Sequence, residues 1–396
     1  MSKIVFFNIP AHGHINPTLG VVRELVSRGH QVWYYSYNTF REKIQSTGAT
    51  FISCDDYDVE QSLSAKDSAR IGKDLAFSTK ILVDTTLALD DKICTDMTRL
   101  KPDCIVADSM ALWGKAVALK LGIPFVSSTT TFAFNKNSAK IIKQGLGDLV
   151  KMIFSIPRIA KEVRRLQDKG YPVNSILDII GSDENAHTIV YTSMQFQPYS
   201  DTFSEKYAFV GPSIRESYEE IEKKAENLVY ISMGTVNNNI TSFYKACLSA
   251  FKDTKYQVIM SVGNLVSIKE LGELPENISV FSHVDQIAAL KQADVFVSHA
   301  GMNSVSESLY FGVPLVMLPQ TSEQKGVSQR VSELGAGIKL DKLDAFSALN
   351  AVNKVLDNSR YKENANIIAD EFRACSGVKG AADKIMQVCE IEMNIE

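Results

Sequence analysis

Side chains suited to binding phosphate and sugar groups are concentrated in one stretch of the C-terminal half. His299 and Ser304 can each donate a hydrogen bond to a phosphate oxygen, and Glu307 can accept both hydroxyls of a ribose. Farther along, Glu323 and Gln324 offer a carboxylate and an amide that can bind sugar hydroxyls. These residue types predict a site for a phosphorylated sugar.

The surrounding elements would place these side chains at the start of a helix. The apolar run 295–298 predicts a buried strand, residues 299–301 predict a turn, and a helical pattern opens at Asn303. Backbone N–H groups and the positive end of the helix dipole at such a junction both attract anions. The stretch is therefore a predicted phosphate site.

The same residues also fit an ordinary structural role. Ser304 and Glu307 have the spacing of a capping box, and Glu323 is a favourable carboxylate for the first turn of a helix. We favour ligand binding because these features occur together, each after a predicted strand.

Two residues of the N-terminal half could form a general base. His14 follows an apolar strand predicted at 4–9, and Asp108 ends another predicted strand. In a parallel sheet both side chains would lie beyond the carboxyl ends of their strands, where such folds place their sites. There an imidazole can accept a proton while a carboxylate orients the ring and stabilises the imidazolium. An N-cap for the next helix is the alternative role of Asp108.

The helix after His14 is predicted to begin with Asn16 as its N-cap and Pro17 at its first position. The positive end of that helix would favour the neutral imidazole that a base requires. His12 and His14 could instead be metal ligands of an amidohydrolase, which needs further histidines at the ends of barrel strands. The remaining histidines are His30, His187, His283 and His299. Base catalysis by His14 is therefore favoured over its alternative role as a solvated turn residue, which in turn is favoured over metal binding, and His12 is interpreted as a solvated turn residue.

The spacing of these residues resembles the nucleotide-sugar signature of the UDP-glycosyltransferase superfamily. That signature is usually H-x-G-x-N-S-x-x-E, followed by G-V-P, a proline and an acid-Gln pair. The matching positions here are His299, Gly301, Asn303, Ser304 and Glu307, then Gly312-Val313-Pro314, Pro319 and Glu323-Gln324. The Glu-Gln ending and Met302 are similar to the bacterial, macrolide-type branch, and the resemblance covers essentially the whole chain.

Other segments resemble further parts of the same family. Residues 13–17 match G-H-x-x-P, whose His is the family's general base, and the family has an Asp bonded to that His at the position of Asp108. Gly234 and Thr235 match the S-x-G-T/S segment, which would bind the β-phosphate. The segment His283-Val284-Asp285-Gln286 replaces W-x-P-Q, where the Trp stacks on uracil and the Gln contacts the nucleoside. Because His is a smaller platform than Trp, selection of uridine is expected to be less strict.

The resemblance implies an α/β fold with two Rossmann-like doubly wound domains facing each other across a cleft, the GT-B arrangement. Residues 1–213 would form the N-terminal acceptor-binding domain with the catalytic base, and residues 214–226 a charge-rich linker. Residues 227–375 would form the C-terminal nucleotide-sugar-binding domain, and residues 376–396 a helix that packs back on the N-terminal domain.

The resemblance also implies an activity: inverting, metal-independent transfer of a hexose, preferably glucose, from a UDP-sugar to a hydroxyl of a hydrophobic small molecule such as a macrolide or flavonoid. No cofactor is expected, since no G-x-G-x-x-G follows the first strand. Residues 55–58 include an Asp-x-Asp that could bind a divalent cation, but they are interpreted as a solvated turn. The alternatives are a UDP-sugar epimerase or hydrolase on the same fold, or a non-catalytic UDP-sugar-binding protein.

Composition predicts a soluble, cytoplasmic protein of two domains. The 396 residues exceed what one core usually spans, and they are 45% hydrophobic and 22% charged. A net charge of −4 argues against a nucleic acid as partner. No apolar run approaches the roughly 20 residues that cross a bilayer, so no stable membrane insertion is expected. The six cysteines form no C-x-x-C pair, which indicates reduced thiols.

Overall fold

The computed structural model describes the chain except for residues 58, 60–66, 68–69, 71–73, 136, 138–145, 176–185, 235–238 and 394–396. Contacts divide the chain into two compact units. Unit 1 comprises residues 1–213 and 376–396, and unit 2 comprises residues 214–375.

Unit 1 is built on one parallel sheet. Its described strands are β1 (Lys3–Phe7), β2 (Gln31–Ser36), β3 (Thr50–Ser53), β4 (Cys104–Asp108), β5 (Phe125–Thr129), β6 (His187–Val190) and β7 (Tyr207–Phe209). Its described helices are α1 (His12–Ser27), α2 (Arg41–Gln45), α3 (Leu75–Leu100), α4 (Leu112–Leu121), α5 (Leu146–Asp168) and, from the end of the chain, α12 (Gly377–Met393). The strand order is β3-β2-β1-β4-β5-β6-β7.

Strand β1 shows why the sequence forms this sheet. Ile4 and Phe6 belong to the core on one face, Val5 and Phe7 to the core on the other, and all four are 0% exposed. A parallel strand covered on both faces needs a continuous apolar run of this kind. Because β1 pairs with both β2 and β4, the strand order reverses between β1 and β4. Such a switch point is where doubly wound sheets bind ligands.

Unit 2 is also built on one parallel sheet. Its described strands are β8 (Leu228–Ser232), β9 (Gln257–Ser261), β10 (Ile278–Phe281), β11 (Val295–Ser298), β12 (Leu315–Met317) and β13 (Gly337–Lys339). Its described helices are α6 (Thr241–Phe251), α7 (Gln286–Gln292), α8 (Met302–Tyr310), α9 (Ser322–Glu333), α10 (Ala345–Leu356) and α11 (Arg360–Ala374). The parallel order β10-β9-β8-β11-β12-β13 puts the switch point between β8 and β11.

The two parallel sheets confirm the α/β class and the pair of doubly wound domains. Neither sheet closes into a barrel within the described residues, so the amidohydrolase interpretation of His12 and His14 is wrong. None of the described helices combines the length and apolar character that crossing a bilayer demands.

Helix α1 begins earlier than predicted. Its N-cap is Ala11, and the N–H groups of His14 and Ile15 each bond to the Ala11 carbonyl at 3.0 Å. The prediction of an Asn16 N-cap with Pro17 at the first position is therefore wrong, because Pro17 lies inside the helix. Burial of the helix face overrides the local capping preference. His14 is consequently part of the first helical turn.

Helix α12 completes unit 1. Its buried face consists of Ala381, Ala382, Ile385 and Cys389, each at most 1% exposed, in the same core as one face of the sheet. Arg28, just after α1, adds an ion pair to Asp383, with 2.5 Å between Nη1 and Oδ1. The apolar burial stabilises this packing more than the ion pair does, because exposed ion pairs contribute at most about 1 kcal/mol.

Residues 214–226 form neither helix nor strand, but they are attached to unit 2. Lys223 Nζ lies 2.7 Å from Asp294 Oδ2. Gln257 contacts the segment twice: its Nε2 donates to the Glu222 carbonyl at 2.9 Å, and its Oε1 accepts from Lys224 N at 2.6 Å. The charged residues that predicted a linker therefore partly serve to fix it along unit 2.

Candidate active site

His14 and Asp108 form a hydrogen-bonded pair at the switch point of unit 1. His14 follows β1, and Asp108 is the last residue of β4, the neighbour of β1 in the sheet. His14 Nδ1 lies 2.7 Å from Asp108 Oδ2. The Asp108 side chain is 0% exposed, whereas that of His14 is 25% exposed. The ring is thus held from the interior while part of it faces outward.

The alternative role of Asp108 as an N-cap is not what the structure shows. Its Oδ1 accepts from Met110 N at 2.8 Å, and α4 begins after Ala111, which is an N-cap without a side-chain hydrogen bond. A carboxylate can only accept hydrogen bonds, so His14 Nδ1 is the donor in the pair. Nε2 is then the ring nitrogen that can accept a proton, as in a catalytic triad.

Two further residues position His14, and sequence analysis missed both. Asn8 Nδ2 donates to the His14 carbonyl at 2.8 Å, and Thr130 Oγ1 lies 3.2 Å from His14 Nδ1. Both side chains are buried, with Asn8 1% and Thr130 5% exposed. Each directly follows a strand, β1 or β5, beside the switch point. The sequence feature that could have identified both residues is a polar side chain immediately after a central apolar strand.

In unit 2, His299 directly follows β11, the counterpart of β4 at the switch point. A Cβ atom at Gly234, which follows β8, would come within 2.6 Å of His299 Cε1, and one at Gly301 within 2.6 Å of His299 Nε2. Gly234 also has a φ of +81°, a conformation that favours glycine. Burial lowers the pKa of His299 to about 4. The imidazole is therefore neutral near pH 7 and keeps one N–H donor.

The turn into α8 is strained and begins the helix without a side-chain cap. Ala300 has a φ of 65°, which non-glycine residues rarely adopt. The N-cap is Gly301, and Asn303 and Ser304 are the second and third residues of the helix. The capping-box alternative for Ser304 is therefore not what the structure shows. These features suit a backbone anion site. Thr235, predicted to join Gly234 here, lies outside the described residues.

Helices α7 and α8 bring together three residues of the predicted donor site. Gln286 Nε2 donates to Glu307 Oε2 at 2.5 Å and lies 3.5 Å from Ser304 Oγ. Burial raises the pKa of Glu307, and the Gln286 hydrogen bond opposes that rise. When ionised, the Glu307 carboxylate keeps further lone pairs, so it can accept hydrogen bonds from ribose hydroxyls as well.

The loop between β10 and α7 presents His283 to solvent, and Val284 beside it is half-buried. An exposed imidazole offers a flat face for base stacking, although a smaller one than indole. Asp285, next in the chain, caps α7 by accepting hydrogen bonds from Ile287 N and Ala288 N. His283, Val284 and Asp285 are therefore consecutive in one loop but differ in exposure to solvent.

Helix α9 carries the last predicted pair. Glu323 is exposed in its first turn. Gln324 is part of a capping box: its Oε1 accepts from Gln320 N at 2.7 Å and Thr321 N at 3.2 Å. The amide oxygen of Gln324 thus has a structural partner. A sugar contact would fall to its Nε2 and to the Glu323 carboxylate.

The Asp-x-Asp segment is only partly described. Asp55 Oδ2 accepts from Asn38 N at 3.0 Å and also from Ser53 Oγ, which ties this carboxylate to its own loop. Asp58 lies outside the described residues. Across the described part of the chain, no three His, Cys, Asp or Glu side chains are grouped as metal ligands.

Comparison with known proteins agrees with this geometry. The family model "UDP-glucoronosyl and UDP-glucosyl transferase" matches residues 211–371. "Uncharacterized UDP-glucosyltransferase YojK" of Bacillus subtilis (strain 168) is 34% identical over 98% of this chain and 97% of its own length. "NDP-glycosyltransferase YjiC" of Bacillus licheniformis is 32% identical over 96% of each chain.

The fold has a counterpart among solved structures. The glycotransferase of kitacinnamycin superposes with a TM-score of 0.85 at 26% identity, and the match covers 98% of both chains. The fold is thus that of GT-B glycosyltransferases. Because a relative above 30% identity spans nearly the full length, the chain belongs to the UDP-glycosyltransferase family and is a glycosyltransferase.

Proposed function

We propose that the protein transfers a hexose, preferably glucose, from a UDP-sugar to a hydroxyl of a hydrophobic small molecule, with inversion at the anomeric carbon. The observation that carries the proposal is the 2.7 Å hydrogen bond between His14 Nδ1 and Asp108 Oδ2. It leaves Nε2 to act as a base. A protein that only bound the donor would have no use for an oriented base.

His14 is the general base in this proposal. Its Nε2 takes the proton of the acceptor hydroxyl while that oxygen bonds to the anomeric carbon. The bond from that carbon to the diphosphate breaks, and UDP leaves with the electron pair. Asp108 stabilises the imidazolium, and the single displacement inverts the configuration.

Unit 2 holds the donor in this proposal. The neutral imidazole of His299, the Ser304 hydroxyl and the N–H groups at the start of α8 stabilise the charge that develops on the departing diphosphate. Glu307 and Gln286 bind the ribose. The donated hexose contacts Glu323 and Gln324. These donors make a metal ion unnecessary, so we propose metal-independent transfer.

The donor site is expected to select only weakly among nucleotide bases. The exposed His283 gives the base a small stacking surface, and Val284 offers only its backbone for hydrogen bonds. The name of the Bacillus licheniformis relative, NDP-glycosyltransferase, specifies no single base. We therefore expect thymidine diphosphate glucose to serve as a second donor.

The acceptor is expected to be apolar. Met110, Phe134 and Met194 follow β4, β5 and β6 and are 41%, 37% and 55% exposed. Gln197 holds the segment after β5, since its Oε1 accepts from Ala133 N at 2.9 Å and its Nε2 donates to Ala133 O at 3.0 Å. Exposed apolar side chains on a fixed segment suit a macrolide or a flavonoid. The similarity to the glycotransferase of kitacinnamycin supports a natural-product acceptor.

We also propose that the protein works in the cytoplasm. All six cysteines are free. Free thiols, several of them buried, suit a reducing compartment. Fractionation of the native host with an antibody against the chain would locate it.

The test is to incubate the protein with UDP-glucose and a mixed panel of phenols and macrolides. The expected result is an acceptor whose mass increases by one hexose, in the β configuration by NMR, with no change after chelation by EDTA. Activity lost on chelation and restored by Mn²⁺ would contradict metal independence.

Control incubations separate the alternatives. Conversion or cleavage of UDP-glucose without any acceptor would favour an epimerase or hydrolase. Tight UDP-glucose binding with no product across the whole panel would favour a binding protein.

A further inference from the structure

Arg215, on the segment that precedes β8, is bound to the N-cap of α7. Its Nη1 lies 2.9 Å from Asp285 Oδ2 and its Nη2 lies 2.6 Å from Asp285 Oδ1. Oδ1 also accepts from Ile287 N at 2.9 Å and Ala288 N at 3.0 Å. Such a two-point guanidinium–carboxylate contact fixes orientation as well as charge. Asp285, only 9% exposed, is thus held by four donors.

The ion pair adjoins the predicted ribose residues. Gln286 directly follows Asp285 and donates to Glu307 Oε2 at 2.5 Å. Burial raises the pKa of Glu307, Gln286 and Arg215 lower it, and Asp285 raises it further. Burial also acts to raise the pKa of Asp285, but the hydrogen bonds from Arg215 and Ala288 N bring it to about 2. Asp285 is therefore an anion, and Arg215 offsets its effect on Glu307.

Other titratable groups are packed near α8. Tyr230 on β8 stays protonated, because burial first and the charges of Glu307 and Asp285 next raise its pKa. Asp294 raises the pKa of Lys362 on α11 against the effect of burial, Arg373 donates to the Tyr310 carbonyl, and Arg330 of α9 lowers the pKa of Glu371 against the effect of burial. Among the described residues, Arg215 and Asp285 are thus the charged groups with a marked effect on the pKa of Glu307.

We propose that Arg215 is a positioning residue of the nucleoside site: it fixes the start of α7 that carries Gln286 and offsets the charge of Asp285 beside Glu307. The inference rests on the proposed function, since it requires Glu307 and Gln286 to bind the ribose. A protonated Glu307 would lose acceptor capacity, so removing the charge of Arg215 weakens contacts to the ribose hydroxyls in particular.

The test compares UDP with 2′,3′-dideoxyuridine diphosphate, which has the same base and diphosphate but no ribose diol. Calorimetry gives both dissociation constants from about pH 6 to about pH 9 for wild type, R215Q, R215K, R215Q/D285N and K223Q. The ratio of the two constants cancels the ionisation of the diphosphate. Asn at 285 still caps the helix, and K223Q removes a different linker ion pair, that to Asp294.

R215Q is expected to reduce the preference for UDP about tenfold near neutral pH, and the loss should be smaller toward high pH, where protonation of Glu307 is least favourable. R215Q/D285N, which has neither charge, should recover to within about threefold of wild type. R215K keeps the charge and K223Q leaves the site untouched, so both should keep the wild-type preference.

An R215Q protein with the wild-type ratio at every pH would overturn the inference, and so would an equal loss in K223Q. If R215Q fails to fold, R215K decides. An R215K protein that keeps the wild-type preference for UDP supports the charge offset, and one that loses this preference overturns it. Failure of the wild type to bind UDP would instead count against the proposed function.

Discussion

Each unit places a histidine beyond a strand at its switch point, but on different strands and in different surroundings: His14 follows β1, and His299 follows β11, the counterpart of β4. His14 has a buried carboxylate 2.7 Å from Nδ1 and 25% of its side chain exposed. His299 lies against Gly234 and Gly301, and its burial lowers its pKa to about 4. A carboxylate partner makes an imidazole a base, whereas enclosure without one makes it a neutral hydrogen-bond donor.

Replacing His14 by Ala should have the largest effect. Loss of the base is expected to lower the transfer rate by roughly 10²–10⁴-fold. The UDP dissociation constant should not change, because His14 belongs to unit 1. Single-turnover kinetics and calorimetry measure the two quantities. Near-normal transfer by H14A would falsify the assignment of the base and, with it, the contrast between the two histidines.

Asp108→Asn should have a smaller effect on the same step. A hydrogen bond to a charged group is worth about 1.5–3 kcal/mol, so the rate should fall about 10- to 100-fold. The loss should appear in kcat rather than in donor affinity, because Asp108 acts through His14. T130V, which removes the hydroxyl 3.2 Å from His14 Nδ1, is a milder companion variant. A D108N enzyme with unchanged kcat would contradict the pairing.

Gly234→Ala tests the enclosure of His299. The new Cβ would come within 2.6 Å of the ring, whereas a Cβ at Gly29 meets nothing within 4 Å. Both glycines have nearly the same φ, +81° and +86°, so G29A is a matched control for backbone strain. Overpacking is expected to destabilise G234A by about 1–3 kcal/mol more than G29A in urea unfolding and to weaken UDP binding. Equal effects in both variants would mean that the ring is not confined.

The low pKa of His299 predicts a pH dependence of stability. The folded pKa is about 4, below the ordinary value of about 6.5. Between these values the unfolded chain binds a proton that the folded chain does not, so stability falls as pH decreases. Relative to its value near neutral pH, this contribution costs about 1–2 kcal/mol at pH 5. Urea unfolding of wild type and H299Q should show a weaker acid decline in H299Q; parallel curves would argue against a buried neutral imidazole.

Sequence predicted the sheets well because their strands are apolar on both faces. Runs such as 4–7 and 295–298 have few alternatives to burial. The family resemblance predicted the pairing of His14 with Asp108, and the meeting of neighbouring parallel strand ends at one edge of the sheet is consistent with it. The start of α1 was missed because tertiary burial outweighed the local signal from Asn16 and Pro17.

Contacts between distant residues were harder to predict. The Gln286–Glu307 and Arg215–Asp285 contacts join residues 21 and 70 positions apart, which no local pattern encodes. Thr321-x-x-Gln324, by contrast, has the spacing of a capping box. That spacing could have been recognised in the sequence. It explains the structural role of Gln324, which the acid-Gln pair of the nucleotide-sugar signature did not suggest.

The placement of α12 has a consequence for synthesis on the ribosome. Unit 2 is one continuous segment, residues 214–375, inserted between two pieces of unit 1. Its sheet can close while residues 376–393 are still inside the exit tunnel. Until those residues emerge, unit 1 has no cover for the core that Ala381, Ile385 and Cys389 bury. The nascent chain can therefore complete the sheet of unit 2 while an apolar face of unit 1 stays exposed until α12 emerges.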